Sequence, residues 1–487
     1  MQVIIIGAGF GGIGMAITLK QQGYDSFVVL EKAADLGGVW RENIYPGAAC
    51  DAPSHLYSYS FESNYEWSRK FAPQPEILAY IRHCAKKYGV ESHIRFNSEV
   101  TGAEFDDQSS IWNVRTKDGR TTQASILISA VGQLHNPSIP NLPGPAAFAG
   151  KSFHSAQWDQ SWDLTGRSVA VIGTGSSAIQ IVPAIADKVR QLYVFQRSPG
   201  YFRPKPDRPY DAIELARLRR YPIMRLLDRA KLYCQSEARF INFSFPPLNR
   251  RAQRLFNSYL EQQVKDEALR NQITPSYAVG CKRGLPTNDW LPTLLRDNVE
   301  LVTTPVSEVV QDGIRTQDGK TRLVDTIIYA TGFKATQFLA PMRIRGSDGK
   351  DLHDIWADGA EAYLGITVSG FPNMFLIYGP NTNLPHSPVL YMLESQFQYI
   401  GKCLDLMFRR GLRRMDVRPE AQARYNASLQ RRLQKSVMTT GGCTSWFKTA
   451  AGKVTTNWPS FSFMYRLRTR WLKPRDYRFE KDIRASG

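Results

Sequence analysis

Cysteine is scarce and scattered in this chain. The six residues, Cys50, Cys84, Cys234, Cys281, Cys403 and Cys443, include no Cys-x-x-Cys pair. Their spacing offers neither a zinc cage nor a redox-active dithiol, and free thiols rather than a disulfide frame are expected. Long apolar runs are missing too. None approaches the ~20 residues of a membrane span. The opening run, Val3 to Ile6, stops at glycine and reads as a short buried strand, not the core of a signal peptide. A soluble, cytoplasmic protein with no integral membrane association is therefore expected. Acidic residues are outnumbered, 44 against 62 basic, for a formal net charge of +18. The surplus gathers in 203–254, 409–435 and 466–484 without any nucleic-acid recognition motif. Solvated helix faces and attraction of an anionic cofactor are the expected uses of this charge, with no nucleic-acid partner.

What is present is a module written twice. VIIIGAGFGGIGMAITLKQQGYDSFVVLE (3–31) and VAVIGTGSSAIQIVPAIADKVRQLYVFQR (169–197) share one pattern. Each is an apolar strand, a glycine-rich turn, an amphipathic helix and a second apolar strand, the signature of a dinucleotide-binding βαβ unit. RTKDGRT (115–121) recurs as RTQDGKT (315–321), where Asp-Gly between alternating apolar runs predicts a hairpin. Buried strands ending in glycine follow, ILISAVG (126–132) and IIYATG (327–332). The expected fold is α/β, with two Rossmann-like domains, each carrying a β-meander. The second holds an insertion at about 203–281 that opens with Pro204, Pro206 and Pro209 and then turns helical. Its apolar residues at helical spacing (Ile213, Leu215, Leu218, Ile223, Leu226, Leu227) are expected to pack into a core. The boundaries read as 1–136 with 332–487 for the first domain and 137–331 for the second.

The two turns differ in what they suit. Gly7, Gly9 and Gly12 allow a tight turn, close approach of a pyrophosphate, and close packing of helix on strand. The diphosphate then lies at a positive helix N-terminus. Nineteen residues past Gly12 stands Glu31, a carboxylate that accepts from an unphosphorylated ribose and repels a 2′-phosphate. FAD or NAD(H) fits there. The second turn has Gly173, Gly175 and Ala178, and at the matching position Arg197 followed by Ser198. A guanidinium and a hydroxyl suit the 2′-phosphate of NADPH. One flavin site and one NADPH site make a flavoprotein reduced by NADPH. Cys50 has no near partner, which disfavours passing electrons to a disulfide.

GGVWRENIYPGAACD (37–51) resembles the flavin-side motif of type I Baeyer–Villiger monooxygenases. FAGKSFHSAQWD (148–159) is similar to their fingerprint at every fixed position. The resemblance covers nearly the whole chain and implies a C4a-peroxyflavin that attacks a ketone, with an ester or lactone as product. Sulfide oxidation is a side activity or an alternative, and flavin-dependent S- or N-oxygenation is the competing reading. The partners implied are a small ketone or sulfide and O₂. By the same resemblance, GCKR (280–283) supplies Arg283 as the fixed positive charge beside the peroxide, Lys282 as a second 2′-phosphate contact, and Asp51 as the acid that positions Arg283. Val39, Trp40, Tyr57 and Val100 fall at the flavin. Thr174, Gly175, Ser176, Ser177 and Gln180 fall with Arg197 and Ser198 at NADPH. His154 is placed in the linker that couples domain rotation to catalysis, Trp158 in packing, and Trp446 of CTSWF (443–447) on a mobile loop over NADP⁺ with TTGG (439–442) as hinge. No metal site is expected, because His154 has no second ligand at zinc spacing.

Overall fold

The computed structural model describes residues 2–63 and 66–481. The last positions of the basic stretch 466–484 lie outside the described residues. Val3–Ile6 is an unbroken β-branched run buried along its length, as a strand covered on both faces must be. It lies at the centre of a five-stranded parallel sheet, ordered Met374–Leu376, Ile126–Ser129, Val3–Ile6, Phe27–Leu30, Ile94–Arg95. The second module repeats this plan. Ser168–Ile172 is central in the parallel order Val299–Val302, Gln191–Phe195, Ser168–Ile172, Thr326–Tyr329, Lys151–His154. The fold is α/β.

Each parallel sheet carries an antiparallel meander, Val100–Asp106 with Ile111–Thr116 and Thr121–Ala124 in the first, and Val306–Val310 with Gly313–Thr316 and Thr321–Leu323 in the second. The two Asp-Gly turns are built alike. Thr116 and Thr316 each donate a hydroxyl to the aspartate two residues on, at 2.6 Å. After the second sheet the chain returns to the first. Arg343–Arg345 extends the first meander and Met374–Leu376 the first sheet.

The helix Phe10–Gln21 is buried on nearly all sides, and its glycines make that possible. A Cβ on Gly12 would stand 1.8 Å from the carbonyl oxygen of Gly7, and one on Gly14 would stand 2.4 Å from the Phe397 ring. The insertion forms the helices Ala212–Arg220, Pro222–Ser244, Pro246–Gln263 and Glu267–Ile273. The long one is stitched to the first module. Arg229 donates to the carbonyls of His55 (2.9 Å) and Ser58 (3.0 Å), and Glu237 accepts from the amide and hydroxyl of Ser462 (2.8 and 2.7 Å).

Two expectations fail. The apolar stripe opening the insertion does not enter a core: Leu218 is buried, but Ile213, Ile223, Leu226 and Leu227 are about 60% exposed or more. Helical spacing creates a common face without supplying a neighbour to cover it. The cysteines are not all free either. Cys281 and Cys443 form a disulfide with Cα atoms 6.1 Å apart across 162 residues of sequence, a proximity created by chain return, which spacing does not encode. Among the described residues no helix is long and apolar enough to cross a membrane.

Gly12→Ala is expected to lower stability by about 1–3 kcal/mol, because the backbone carbonyl it meets has nowhere to move. Gly175→Ala, where a Cβ has nothing within 4 Å, should stay within about 0.5 kcal/mol of wild type. Thermal unfolding of both variants checks this, and equal destabilisation would contradict the packing argument.

Candidate active site

The first cradle is made of backbone. Gly7 has φ of +99°, and a Cβ there would come 2.9 Å from the carbonyl oxygen of Ala130. Gly38 (φ +55°) approaches Gly9 so closely that its Cβ would sit 3.0 Å from that Cα. The 37–40 turn therefore lies directly on the glycine loop. Glu31 is buried, and each of its oxygens accepts one amide, from Ala8 at 2.8 Å and Ala33 at 3.0 Å. It ties the glycine loop to the end of the second strand while keeping acceptor capacity, since a carboxylate offers about four lone-pair sites. Val100 is buried in the core cluster under this sheet, two residues past Ser98, whose amide donates to the Glu31 carbonyl. Val39 and Trp40 begin the short helix Val39–Glu42. Trp40 donates its indole N–H to the Tyr57 hydroxyl at 3.0 Å.

In the second cradle Gly175 and Ser176 are exposed, and Thr174 donates to the carbonyl of Ser198 at 3.4 Å. Lys282 arrives from beyond the insertion and donates to the Ser198 hydroxyl at 2.5 Å. Burial and the neighbouring Arg197 both push the Lys282 ammonium pKa down. Arg197, Ser198 and Lys282 thus form a dibasic cluster. Gln180 reaches the first module. Its amide donates to the carbonyl of Ala49 at 3.0 Å and accepts from the Tyr45 hydroxyl at 3.1 Å. It clasps the second module to the 45–49 turn of the first, and Ser177 bonds the same tyrosine.

Between the cradles, Asp51 and Arg283 meet in a two-pronged ion pair, Nε to Oδ2 at 2.9 Å and NH2 to Oδ1 at 2.8 Å. Burial by itself would raise the Asp51 pKa. Arg283, Arg203 and Lys205 outweigh it and hold the carboxyl below its usual range. Arg203 lies on a short strand, Phe202–Arg203, paired in parallel with Leu285–Pro286 just after Arg283. Burial and the nearby Arg239 push its pKa down to about 10. Arg239, on the long insertion helix, also feels Asp51. One carboxylate therefore stands among three arginines and a lysine. Tyr378 lies nearby: its hydroxyl donates to Asn383 at 2.7 Å, and burial pushes its pKa up against the opposing pull of Arg283.

Of the site residues expected from sequence, the structure pairs Asp51 with Arg283 and sets Lys282 on Ser198. Arg203, Lys205 and Arg239, expected among solvated basic residues, also bear on the Asp51 carboxyl. Nothing in their local sequence distinguishes them; only the return of the insertion beside GCKR brings them in. Cys50 is buried with its thiol pushed up to about 12 by desolvation.

His154, expected in the linker that couples domain rotation to catalysis, spends both ring nitrogens on backbone. It is fully buried, donates from Nε2 to the Gly332 carbonyl at 3.0 Å, and accepts at Nδ1 from the Ala156 amide at 3.1 Å. Burial lowers its pKa, and with both ring nitrogens used it has no proton to trade. It joins the linker at 154–156 to the point where the chain leaves the second sheet. Trp158 packs edge-on to Phe153 with centroids 5.1 Å apart. Trp446 is 36% exposed against a buried Phe447. Among the described residues no cluster of three or more His, Cys, Asp or Glu could hold a metal ion.

Because the folded pKa of Asp51 is depressed, its stabilising contribution is complete above the unfolded value of about 4 and is lost as pH falls through the lower folded value. Asp51→Asn should remove that part of the acid dependence. Acid unfolding followed by fluorescence between roughly pH 2 and 6 tests it, and superimposable pH slopes would refute it.

The comparisons with known proteins agree with this geometry. The family model of pyridine nucleotide-disulphide oxidoreductases matches residues 4–239. A Baeyer–Villiger monooxygenase of Pseudomonas aeruginosa is 44% identical over 471 residues, covering 96% of this chain and 89% of that protein. One from Streptomyces coelicolor is 41% identical, covering 98% and 92%. Among solved structures, an oxidised steroid monooxygenase bound to NADP superposes with a TM-score of 0.89 at 31% identity, and a closed cyclohexanone monooxygenase with 0.90 at 28%, each over 99% of both chains. With full-length relatives at this identity and two glycine-turn cradles flanking a half-buried arginine–carboxylate pair, the chain belongs to the Baeyer–Villiger monooxygenases.

Proposed function

We propose that the chain holds FAD in the first cradle and NADPH in the second, and inserts one oxygen atom of O₂ beside a ketone carbonyl to give an ester or lactone. The observation that carries this reading is the two-pronged Asp51–Arg283 pair set between the two glycine-turn cradles. The first sheet with its meander and the segment after 332 serves the flavin; residues 137–331 serve NADPH.

Reduced FAD supplies activated oxygen when bound; the protein supplies position, charge and exclusion of water. The glycine loop and the N-terminus of Phe10–Gln21 receive the FAD diphosphate, and Glu31 accepts from the ribose. Arg197, Ser198 and Lys282 receive the 2′-phosphate. Arg283 cannot give up its proton at working pH, so it is a permanent charge. Asp51 fixes the orientation of its guanidinium through two bonds. Oxygen insertion moves negative charge onto the carbonyl oxygen. Preset cations stabilise that charge without reorganising at the moment of reaction. The cationic surroundings favour attack by an anionic oxygen on a ketone over transfer of a neutral, electrophilic oxygen to a sulfide.

Arg283→Ala is expected to leave NADPH-driven bleaching of the flavin near the wild-type rate while ester formation falls about 100-fold or more. Single-turnover reduction and product analysis under ¹⁸O₂ check both halves, and loss of FAD binding would refute the role. Wild type should place one ¹⁸O in the product ester. Turnover of an aryl sulfide but of no ketone would reassign the chain to heteroatom oxygenation.

Arg197→Ala should raise KM for NADPH about tenfold or more, the worth of one charge-assisted phosphate contact, with KM for NADH little changed. Equal losses with both nucleotides would contradict a 2′-phosphate contact.

A further inference from the structure

Two segments with separate roles meet at one covalent link. Cys281 immediately precedes Lys282 and Arg283, and Cys443 opens the segment that carries Trp446. The contact is broader than the bond. The Ala278 amide donates to the Gly441 carbonyl at 3.0 Å. Gly441 passes so close that a Cβ there would lie 2.7 Å from the Cβ of Cys281 and 3.0 Å from its sulfur. Lys448 closes the segment on itself, donating to the carbonyls of Thr439 and Cys443 at 3.3 Å each. Cys281 is wholly buried, whereas Cys443 is half-buried between exposed Gly442 and Thr444.

We propose that Cys281–Cys443 is a reversible redox site that takes a dithiol reductant, and that its state sets how firmly the Trp446 segment is held at the Lys282–Arg283 turn and so how tightly NADP⁺ is retained. This rests on the assignment of NADPH to the second module. A thiolate of the dithiol attacks the Cys443 sulfur, the more accessible of the two. The S–S bond breaks, and its electron pair leaves on the Cys281 sulfur, which takes a proton. The second thiol attacks the mixed disulfide and releases Cys443, which is protonated in turn. The dithiol departs as a disulfide, having passed two electrons and two protons to the protein, and the oxidised dithiol reverses the exchange.

With the bond closed, Trp446 swings on a leash of three residues from a fixed point. With it open, more chain must be ordered when the segment closes on NADP⁺, and that entropy is taken from binding. A bond that only supported the fold would shift the melting temperature and leave NADP⁺ affinity at 25 °C unchanged.

The test uses the full-length FAD-loaded protein before and after dithiothreitol. Thiols are counted by alkylation and mass spectrometry, FAD content by absorbance, and NADP⁺ affinity by perturbation of the flavin spectrum. Opening the bond should expose Cys281 and Cys443 to alkylation, leave FAD content unchanged, and weaken NADP⁺ about tenfold. Cys443→Ser and Cys281→Ser should bind NADP⁺ like the reduced wild type whether or not dithiothreitol is added. Equal affinity in the two states, with the bond shown to be open, overturns the redox role alone. So do two thiols that stay alkylatable after dithiothreitol is removed and excess oxidised glutathione is added. Failure of NADP⁺ to bind in either state, with FAD retained, overturns the NADPH assignment and this role with it.

Discussion

Asp51 and Arg283 are 232 positions apart, and their two-pronged contact, with 24% and 31% of the side chains exposed, is the constraint on which the site depends. A partly buried carboxylate is costly unless paired, and a guanidinium that cannot lose its proton needs a fixed partner to be held in one orientation. Each group makes the other tolerable. Because Asp51 comes from the turn beside the first glycine loop and Arg283 from the segment that also delivers Lys282 to Ser198, satisfying the pair draws the two glycine-turn modules together. Gln180, reaching from the second module to Ala49 and Tyr45, reinforces the same juxtaposition with neutral hydrogen bonds.

The two modules are the same solution used twice, with different endings. The paired Thr–Asp contacts in the meander turns and the parallel sheets around Val3–Ile6 and Ser168–Ile172 show how closely the backbone plan is repeated. Chemistry diverges at the ends of the second strands, where Glu31 faces one loop and Arg197 the other. It diverges again in the insertion, whose long helix is bonded to the first module through Arg229 and Glu237 and so carries Arg239 toward Asp51. The insertion is a bridge as much as a cap. The exposed stripe from Ile213 to Leu227 shows that its outer part contributes little to the core.

The architecture was legible because strand, glycine turn and helix are local patterns. Apolar runs, the positions of Gly7, Gly9 and Gly12, and the hairpin at Asp118-Gly119 depend on neighbours a few residues away. The site was legible only in part. Asp51 and Arg283 stand in motifs long enough to be recognised, whereas Arg203 and Arg239 sit among many basic residues and look like any other solvated arginine. His154 sits in a recognisable fingerprint too, yet the carbonyl and amide that its ring nitrogens meet belong to residues 332 and 156.

The sequence by itself determined the two βαβ modules and the order of their elements, since these follow from side-chain size, charge and spacing within some thirty residues. Tertiary structure decided which cations gather around Asp51, which imidazole is spent on backbone, and that Cys281 finds Cys443. Each of these is a contact across 100 residues or more, apart from the short Nδ1 half of the histidine's pair. Chain return places such groups together, and no local periodicity records where a distant segment will come to rest.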